Sequence, residues 1–472
     1  MNSPVLQRSG QGAPGRFVPY RTTTRVKPLS RFEQLARLAS NPIESWIRPH
    51  FEMPVVAGPS LVGETALIND PAGIRRVLLD NVANYEKDPL QMRVLSAGNR
   101  AGAGQGLLVA TGDLWKRTRR TLAPLFAPRR VAALARVMHV RAEQRVDRWL
   151  KRRPGAILEI DREMTGVTYD ILSATMFSDA LDAEAAGFEK ELGILLDNIG
   201  RIHPFDVFNV PVWVPRLGRG RARRARDYFG QAMQDLIVRR LDAVARGEAI
   251  PDDLLSALIK ASDPETGAGL SREEVSANLF TLIAAGHETT ARSLAWTLYL
   301  LSQSPEWEER CMVEARNAPE DPAQWLDAMP NLTAVFEESM RLFPAVPHMS
   351  RIAGADDVVS GVPIKAGTLI IVAPWVLHRH RLLWKNPDEF QPERFLPGAR
   401  EKIDRFAYLP FGAGPRVCIG QVFAMQEAII VLASILRRVR LRLSGPPPQP
   451  VHRITLRPSP RLAMSVERLE SV

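Results

Sequence analysis

The ten residues Phe411-Gly412-Ala413-Gly414-Pro415-Arg416-Val417-Cys418-Ile419-Gly420 hold three glycines, one proline, one arginine and one cysteine. They run straight into a helical pattern, so Cys418 stands beside a helix N-terminus. Unpaired N–H groups and the helix dipole favour a thiolate at such a place. Arg416 adds a positive charge close by. The glycines let the backbone come near a bulky planar object or the sulfur itself. A lone cysteine is more often a small neutral hydrophobe, but these neighbours argue for the thiolate. A single thiolate with one open face suits the iron of a haem. It could also be a nucleophile, but a nucleophile wants a base, and no histidine is close in sequence. The other cysteine, Cys311, reads as an inert helix residue.

A second pattern, Ala285-Gly286-His287-Glu288-Thr289-Thr290, lies midway along a long helical stretch. Glycine costs about 1 kcal/mol relative to alanine in a helix interior. Threonine hydroxyls divert hydrogen bonds from the backbone ladder. A local break is therefore expected, and such breaks often mark functional sites. Glu288 and Thr289, an acid beside an alcohol, could relay protons to a bound ligand. The plainer reading is a helix-packing glycine next to a solvated acid. A third pattern is Glu338 with Arg341, three apart on one helix face. Exposed, such a pair contributes about 0.2–1 kcal/mol and means little. Arg394, in Pro392-Glu393-Arg394-Phe395, is a candidate third member, because a planar guanidinium binds a carboxylate through two hydrogen bonds.

These residues need a scaffold. Ser271 and Glu274 form a capping-box pattern, and helical periodicity then runs to about Gln303. That helix would be roughly 48 Å long, enough to cross a whole domain. A helix over Asn331–Phe343 is stopped by Pro344, and Ile419–Arg438 is a strong helix. From Asp113 to about Lys260 the pattern is nearly all helical, broken at Pro124, Pro128, Pro154 and Pro204–Pro215. Pro28–Arg48 reads as an amphipathic helix. Pro71–Leu79 reads as a helix with proline in its first turn. Period two appears over Val358–Ile364 and Thr368–Pro374. Val55–Ile68 reads as a strand or turn pair, and two short strands follow the turn at 445–450. The glycine-rich stretch Ser96–Gly106 is a loop without nucleotide-binding spacing. The expectation is one mainly α domain over residues 31–472 with a small β part. Residues 1–30, basic and without an acid, are expected to form a flexible arm.

Composition narrows the class. The 472 residues are 45% hydrophobic and 24% charged, ordinary for a soluble globular protein. A chain this long buries a core without cross-links, and two cysteines exclude a cystine scaffold or a zinc knuckle. No run reaches the roughly 18 apolar residues of a membrane helix. The lack of a secretory signal points to a reducing, cytoplasmic setting. The net charge of +10 permits nucleic acid, an anionic membrane or an acidic protein and selects none. The arginine run Arg216–Arg226 reads as a solvated face, with a membrane or anion patch as the alternative.

Together these patterns resemble the cytochrome P-450 family of haem-thiolate monooxygenases, over about residue 60 to the C-terminus. The haem-loop pattern F-x-x-G-x-R-x-C-x-G is met by Phe411, Gly414, Arg416, Cys418 and Gly420. The oxygen-activation pattern is met by Ala285–Thr290, E-x-x-R by Glu338 and Arg341, and the PERF segment by Pro392–Phe395. The wording is similar to the bacterial fatty-acid hydroxylase-like branch.

The resemblance implies a single-domain P-450 fold, with haem b between the long central helix and the cysteine loop. Cys418 would be the axial ligand of the iron. Trp115, Arg119, Arg351 and Arg416 would contact the haem propionates, with Phe411, Gly414 and Gly420 shaping the loop. Thr289 and Glu288 would be the catalytic proton pair. Glu338, Arg341 and Arg394 would form a structural lock. His378 would be a helix-start histidine, and His380 stands neutrally where the family often has an acid. The implied reaction inserts one atom of O2 into a hydrophobic small molecule. Electrons would come from NAD(P)H through a separate, acidic ferredoxin or flavodoxin-type donor, since no such module is visible in the chain. A monomer that binds no nucleic acid is expected. A ligand-binding sensor and a redox-independent isomerase or dehydratase are the alternatives. The substrate pocket should draw on Gln91–Leu108, Leu192–Val214, Phe280–Ala284 and Ala345–Met349, which are apolar and suit a fatty acid or terpenoid.

Overall fold

The computed structural model describes residues 16–22, 25–61, 63–96, 105–178, 191, 194 and 219–469. All of the expected pocket segment Leu192–Val214 except Ile194, the breaks at Pro204–Pro215 and most of the Ser96–Gly106 loop lie outside these residues, as does the start of the Arg216–Arg226 run. Helices dominate. They are α1 (Arg31–Ser40), α2 (Pro71–Arg75), α3 (Pro89–Ser96), α4 (Gly112–Leu122), α5 (Pro128–Leu150) and α6 (Ile160–Phe177). Then come α7 (Arg219–Ala245), α8 (Leu254–Lys260), α9 (Arg272–Ser302), α10 (Pro305–Arg316), α11 (Pro330–Leu342) and α12 (Gln421–Leu436).

Local chemistry sets many of their starts. Ser271 caps α9 with Glu274 in a reciprocal capping box, as expected from sequence. Prolines open α2, α5, α10 and α11, where a missing N–H costs nothing. Almost every residue of α12 from Gln426 to Leu436 is buried, so this helix is apolar all round and sits in the core. It packs against α5, while α9 packs against α6.

Among the described residues the β part has four pieces. A five-stranded sheet has the order β1 (Val55–Ser60), β2 (Gly63–Ile68), β8 (Leu369–Val372), β5 (Met349–Ala353), β3 (Tyr85–Lys87). Only the β2–β8 pairing is parallel. A three-stranded sheet joins β4 (Ile157–Glu159), β12 (Ala463–Arg468) and β9 (Val439–Leu443). Two hairpins pair β6 (Asp357–Val359) with β7 (Val362–Ile364), and β10 (Gln449–His452) with β11 (Leu456–Ser459).

Four expectations change. The helix expected over Pro28–Arg48 is helical only over Arg31–Ser40 and continues as single turns. The helix expected over Pro71–Leu79 is α-helical only to Arg75 and then widens into a π turn over Arg76–Asp80. No break occurs at Ala285–Thr290, because the α9 pattern is continuous there. The Thr289 hydroxyl instead donates back to the Ala285 carbonyl at 2.7 Å, within the unbroken turn. Finally, the basic arm is tied down from residue 16. The Phe17 carbonyl accepts from Phe390 N–H at 3.0 Å, and the Phe17 ring meets Tyr299 edge-on at 5.9 Å. Arg16 pairs with Glu393 and Arg21 with Asp388. Acids far along the chain thus pair with two arginines of the arm expected to be flexible.

Candidate active site

The cysteine loop is closed by its own backbone, with Cys418 N–H donating to the Phe411 carbonyl at 2.9 Å. The Phe411 ring packs on the main core cluster and anchors the loop from below. Gly412 and Gly414 both have left-handed backbones, at φ 74° and 71°. At Gly414 a Cβ would also overlap the Leu78 carbonyl. That glycine is needed because the turn after α2 presses on the loop, rather than to admit a planar ligand. Gly420 N–H donates to the sulfur. Burial pushes the Cys418 thiol up, and the Gly420 N–H and the nearby Arg119 only partly offset this. The expectation that the loop alone favours a thiolate is thus corrected: the bare site holds a thiol, and a bound metal ion would displace its proton.

The sulfur is open although protein surrounds it, because it faces an internal cleft. Ala285 and Gly286 are open in the same way, midway along α9 between buried turns. A Cβ on Gly286 would meet only Leu172, at an ordinary 3.8 Å, so tight helix packing is not why glycine stands there. The two walls belong together. Phe280 and Ala284 from α9 pack on the same apolar cluster as Trp115, Ile419 and Phe423. Thr290 also donates to Glu427 of α12.

Cations gather at one edge of this cleft. Arg416 donates to the Ala110 carbonyl at 3.1 Å and lies 4.3 Å over the Trp115 ring. Trp115 is therefore a plate for Arg416. Arg119 projects near Cys418. Arg351, on β5, donates to the Ser350 carbonyl at 2.7 Å. Lys87 stands directly opposite Arg351 in the β3–β5 register and donates to the Leu108 carbonyl. No motif signalled Lys87; only the strand pairing brings it here. Among the described residues, none of these four cations pairs with a carboxylate. Burial and the repulsion of Arg416 and Arg351 push Lys87 down to about 7. Burial, then Arg351, pushes Arg416 down to about 10. Four crowded cations without an acid suit a ligand carrying negative groups. The two carboxylates of a haem b would fit this donor set, and Cys418 is the residue that would hold its iron.

Glu288 faces elsewhere. Its Oε1 accepts from Thr455 at 2.7 Å and from Arg457 at 2.6 Å, and Arg292 lies at 3.5 Å. Burial pushes its carboxyl up, but Arg457 and Arg292 outweigh this and hold it below the usual range. The solvated-acid reading is overturned, and the acid is occupied rather than free to serve Thr289. His287 is buried against Tyr169, edge-on at 6.2 Å, and burial lowers it to about 4.

The expected lock is assembled. Arg341 donates Nε to Glu338 at 2.6 Å and Nη2 at 2.8 Å, in a fully buried fork. Its remaining hydrogens go to the carbonyls of His378, Pro387 and Glu389. Arg394 lies 3.7 Å from Glu338 and donates to the carbonyls of Lys385 and Asn386. His378 accepts from Leu409 N–H at 2.8 Å and so fixes the approach to the cysteine loop. His380 Nε2 meets the Met53 carbonyl at 3.1 Å.

The family profile described as Cytochrome P450 matches residues 62–464. The chain belongs to the cytochrome P450 family. A solved structure, the crystal structure of cytochrome P450DA heme domain, superposes with a TM-score of 0.76 at 25% identity, covering 88% of this chain and 90% of that one. Cyclooctatin synthase of Streptomyces melanosporofaciens is 32% identical, over 78% of each chain. Cyclooctat-9-en-7-ol 5-monooxygenase of the same organism is 32% identical, over 72% of this P450 and 73% of that protein. Cytochrome P450 4F12 of Homo sapiens is 29% identical, over 84% and 79%. This P450 is thus a monooxygenase of mainly α, single-domain fold that uses haem, a substrate, O2 and a redox partner. Among its described residues, no helix is long and apolar enough to cross a membrane.

Proposed function

We propose that Cys418 ligates the haem iron and that Lys87, Arg119, Arg351 and Arg416 receive the two propionates, with Trp115 backing Arg416. The observation that carries this is the cleft itself: an open sulfur, an open Ala285–Gly286 face and four acid-free cations border one space. Haem, when bound, supplies the one-electron and O2 chemistry. The chain supplies the rest. Gly420 N–H holds electron density on the sulfur. Phe411 and Gly414 keep the loop in place. Thr289 carries a hydroxyl proton on the cleft-bearing stretch of α9, and Glu288 can serve it only by leaving Thr455, Arg457 and Arg292. Glu338, Arg341 and Arg394 are structural.

The substrate is an apolar small molecule, bordered by Phe280, Ala284, Val346 and Met349. The name of one relative gives an alcohol, cyclooctat-9-en-7-ol, oxidised at position 5. A cyclic terpenoid-like substrate suits this P450 better than the fatty-acid-like alternative. Electrons come from NAD(P)H through a separate acidic ferredoxin or flavodoxin-type protein, in the cytoplasm, to a monomeric acceptor. The net charge of +10 supports that donor. Two measurements test the reading. Cys418→His should abolish the CO-bound reduced band that gives the family its name, and a persisting band overturns the ligand assignment. Raising salt should slow reduction by the donor; salt-independent reduction removes the docking claim.

A further inference from the structure

We propose that His348 recognises a neutral oxygen group, a hydroxyl or a carbonyl, on the otherwise apolar substrate. This rests on the monooxygenase reading of the same cleft. His348 lies in the loop between α11 and β5, among Ala345, Val346 and Met349. The Met349 methyl is 3.8 Å from where a Cβ on Gly412 would stand, so this loop runs along the cysteine loop. Two residues past Met349, Arg351 joins the cation cluster. On its other flank, Leu456 N–H donates to the Ala345 carbonyl at 3.1 Å. That contact places the β10–β11 hairpin, which holds Glu288, against the same loop. Loop and hairpin together therefore border the cleft between α9 and the cysteine loop.

The His348 ring is half-buried and meets His452 edge-on at 5.0 Å. Among the described residues, neither of its nitrogens makes a hydrogen bond. The acid that acts on it, Asp88, is already engaged: it accepts from the Ser350 hydroxyl at 2.9 Å and from Leu90 N–H at 2.8 Å. Burial lowers the imidazole from its ordinary value against the pull of Asp88, so the ring is neutral. A neutral imidazole has one donor and one acceptor, and here both are unmet. In a half-buried ring these nitrogens stay open to a ligand, and apolar pockets orient ligands through a few polar groups of this kind. A hydroxyl satisfies either nitrogen, and a carbonyl satisfies the N–H. A carboxylate is disfavoured, because Asp88 already puts a negative charge beside the ring. The substrate class is therefore an apolar alcohol or ketone. It follows that the reaction supplying this substrate leaves an oxygen on the hydrocarbon before this P450 adds another.

The test uses the full haem-loaded chain and two matched probe sets: dodecane, dodecan-1-ol and dodecanoate, then cedrene and cedrol. Binding is read by the Soret shift and by equilibrium dialysis. Each alcohol should bind roughly tenfold tighter than its hydrocarbon, the gain of one hydrogen bond, and dodecanoate should be the weakest. His348→Phe should erase the preference, while His348→Asn, which keeps a donor and an acceptor, should retain part of it. The proposal is overturned by equal binding of alcohol and hydrocarbon, by dodecanoate binding tightest, by an unchanged preference in His348→Phe, or by no alcohol binding in dialysis. The CO-bound band of each sample separates the two claims. Band present without preference sinks only the role of His348; band absent in the unmodified chain sinks the Cys418 reading.

Discussion

Glu288 and Arg457 meet at 2.6 Å, joining the middle of α9 to β11 across 169 residues of chain. The acid that a proton relay would use is the anchor of a buried charge cluster. Its folded carboxyl is depressed, so it adds stability above its ordinary value of 4.5 and loses that stability as pH falls below it. Glu288→Gln should therefore be less stable than the parent at neutral pH, with the gap closing in acid. Glu288→Ala removes the shared carboxylate of two partly buried arginines and should cost about 1.5–3 kcal/mol, the loss of hydrogen bonds to a charged group. Denaturant midpoints across the pH range check both, and a gap that does not change with pH would contradict the depressed carboxyl.

Arg341 makes the opposite point, since every one of its donors is used. Arg341→Met leaves Glu338 charged and buried, a loss of about 3–5 kcal/mol. Arg394→Met should cost less, because Arg394 sits 3.7 Å from Glu338 and spends its Nη2 on two carbonyls. Equilibrium unfolding of both variants ranks them, and a larger loss for Arg394→Met would reverse the assignment of the principal partner.

Lys87 should show different signs with and without haem. In the haem-free chain its depressed value means that stability falls as pH drops from 10.5 towards about 7. Lys87→Met should then stabilise the haem-free protein at neutral pH, with the gain vanishing in alkali. The same change should speed haem loss to a scavenging apo-globin several-fold in the loaded protein. Equal effects on both forms would mean that Lys87 is merely structural.

Glu427 is buried and pushed up to about 8, where its proton is held beside Thr290. A raised carboxyl costs stability as pH climbs from 4.5 to about 8. Glu427→Gln should flatten the stability profile over that window and gain most at its alkaline end. An unchanged slope in thermal melts would show that the carboxyl is ionised in the fold.

Legibility in the sequence followed distance along the chain. The cap at Ser271, the proline start at Pro71 and the fork of Glu338 with Arg341 are local, and each is visible within a few residues. The glycine at 414 was visible, but its reason was not, because Leu78 meets it from the far end of the chain. The expected break at Ala285–Thr290 failed for a related cause. The buried turns on both sides keep α9 continuous where local propensity alone suggests a fault, and the Thr289 hydroxyl bonds within the turn without opening it.

By itself the sequence determined the kind of chemistry: one cysteine in a glycine-rich loop before a helix, and an acid–alcohol pair on a long helix. Residue types at short spacing decide that, since they set which atoms a loop or helix face can present. Only the tertiary structure decided which way those side chains turn. It gave Glu288 to Arg457 and Lys87 to the cation cluster and, among the described residues, left the His348 nitrogens without a hydrogen bond. Each outcome depends on charges and hydrogen bonds between strands and helices far apart in sequence, and burial makes those contacts strong enough to choose.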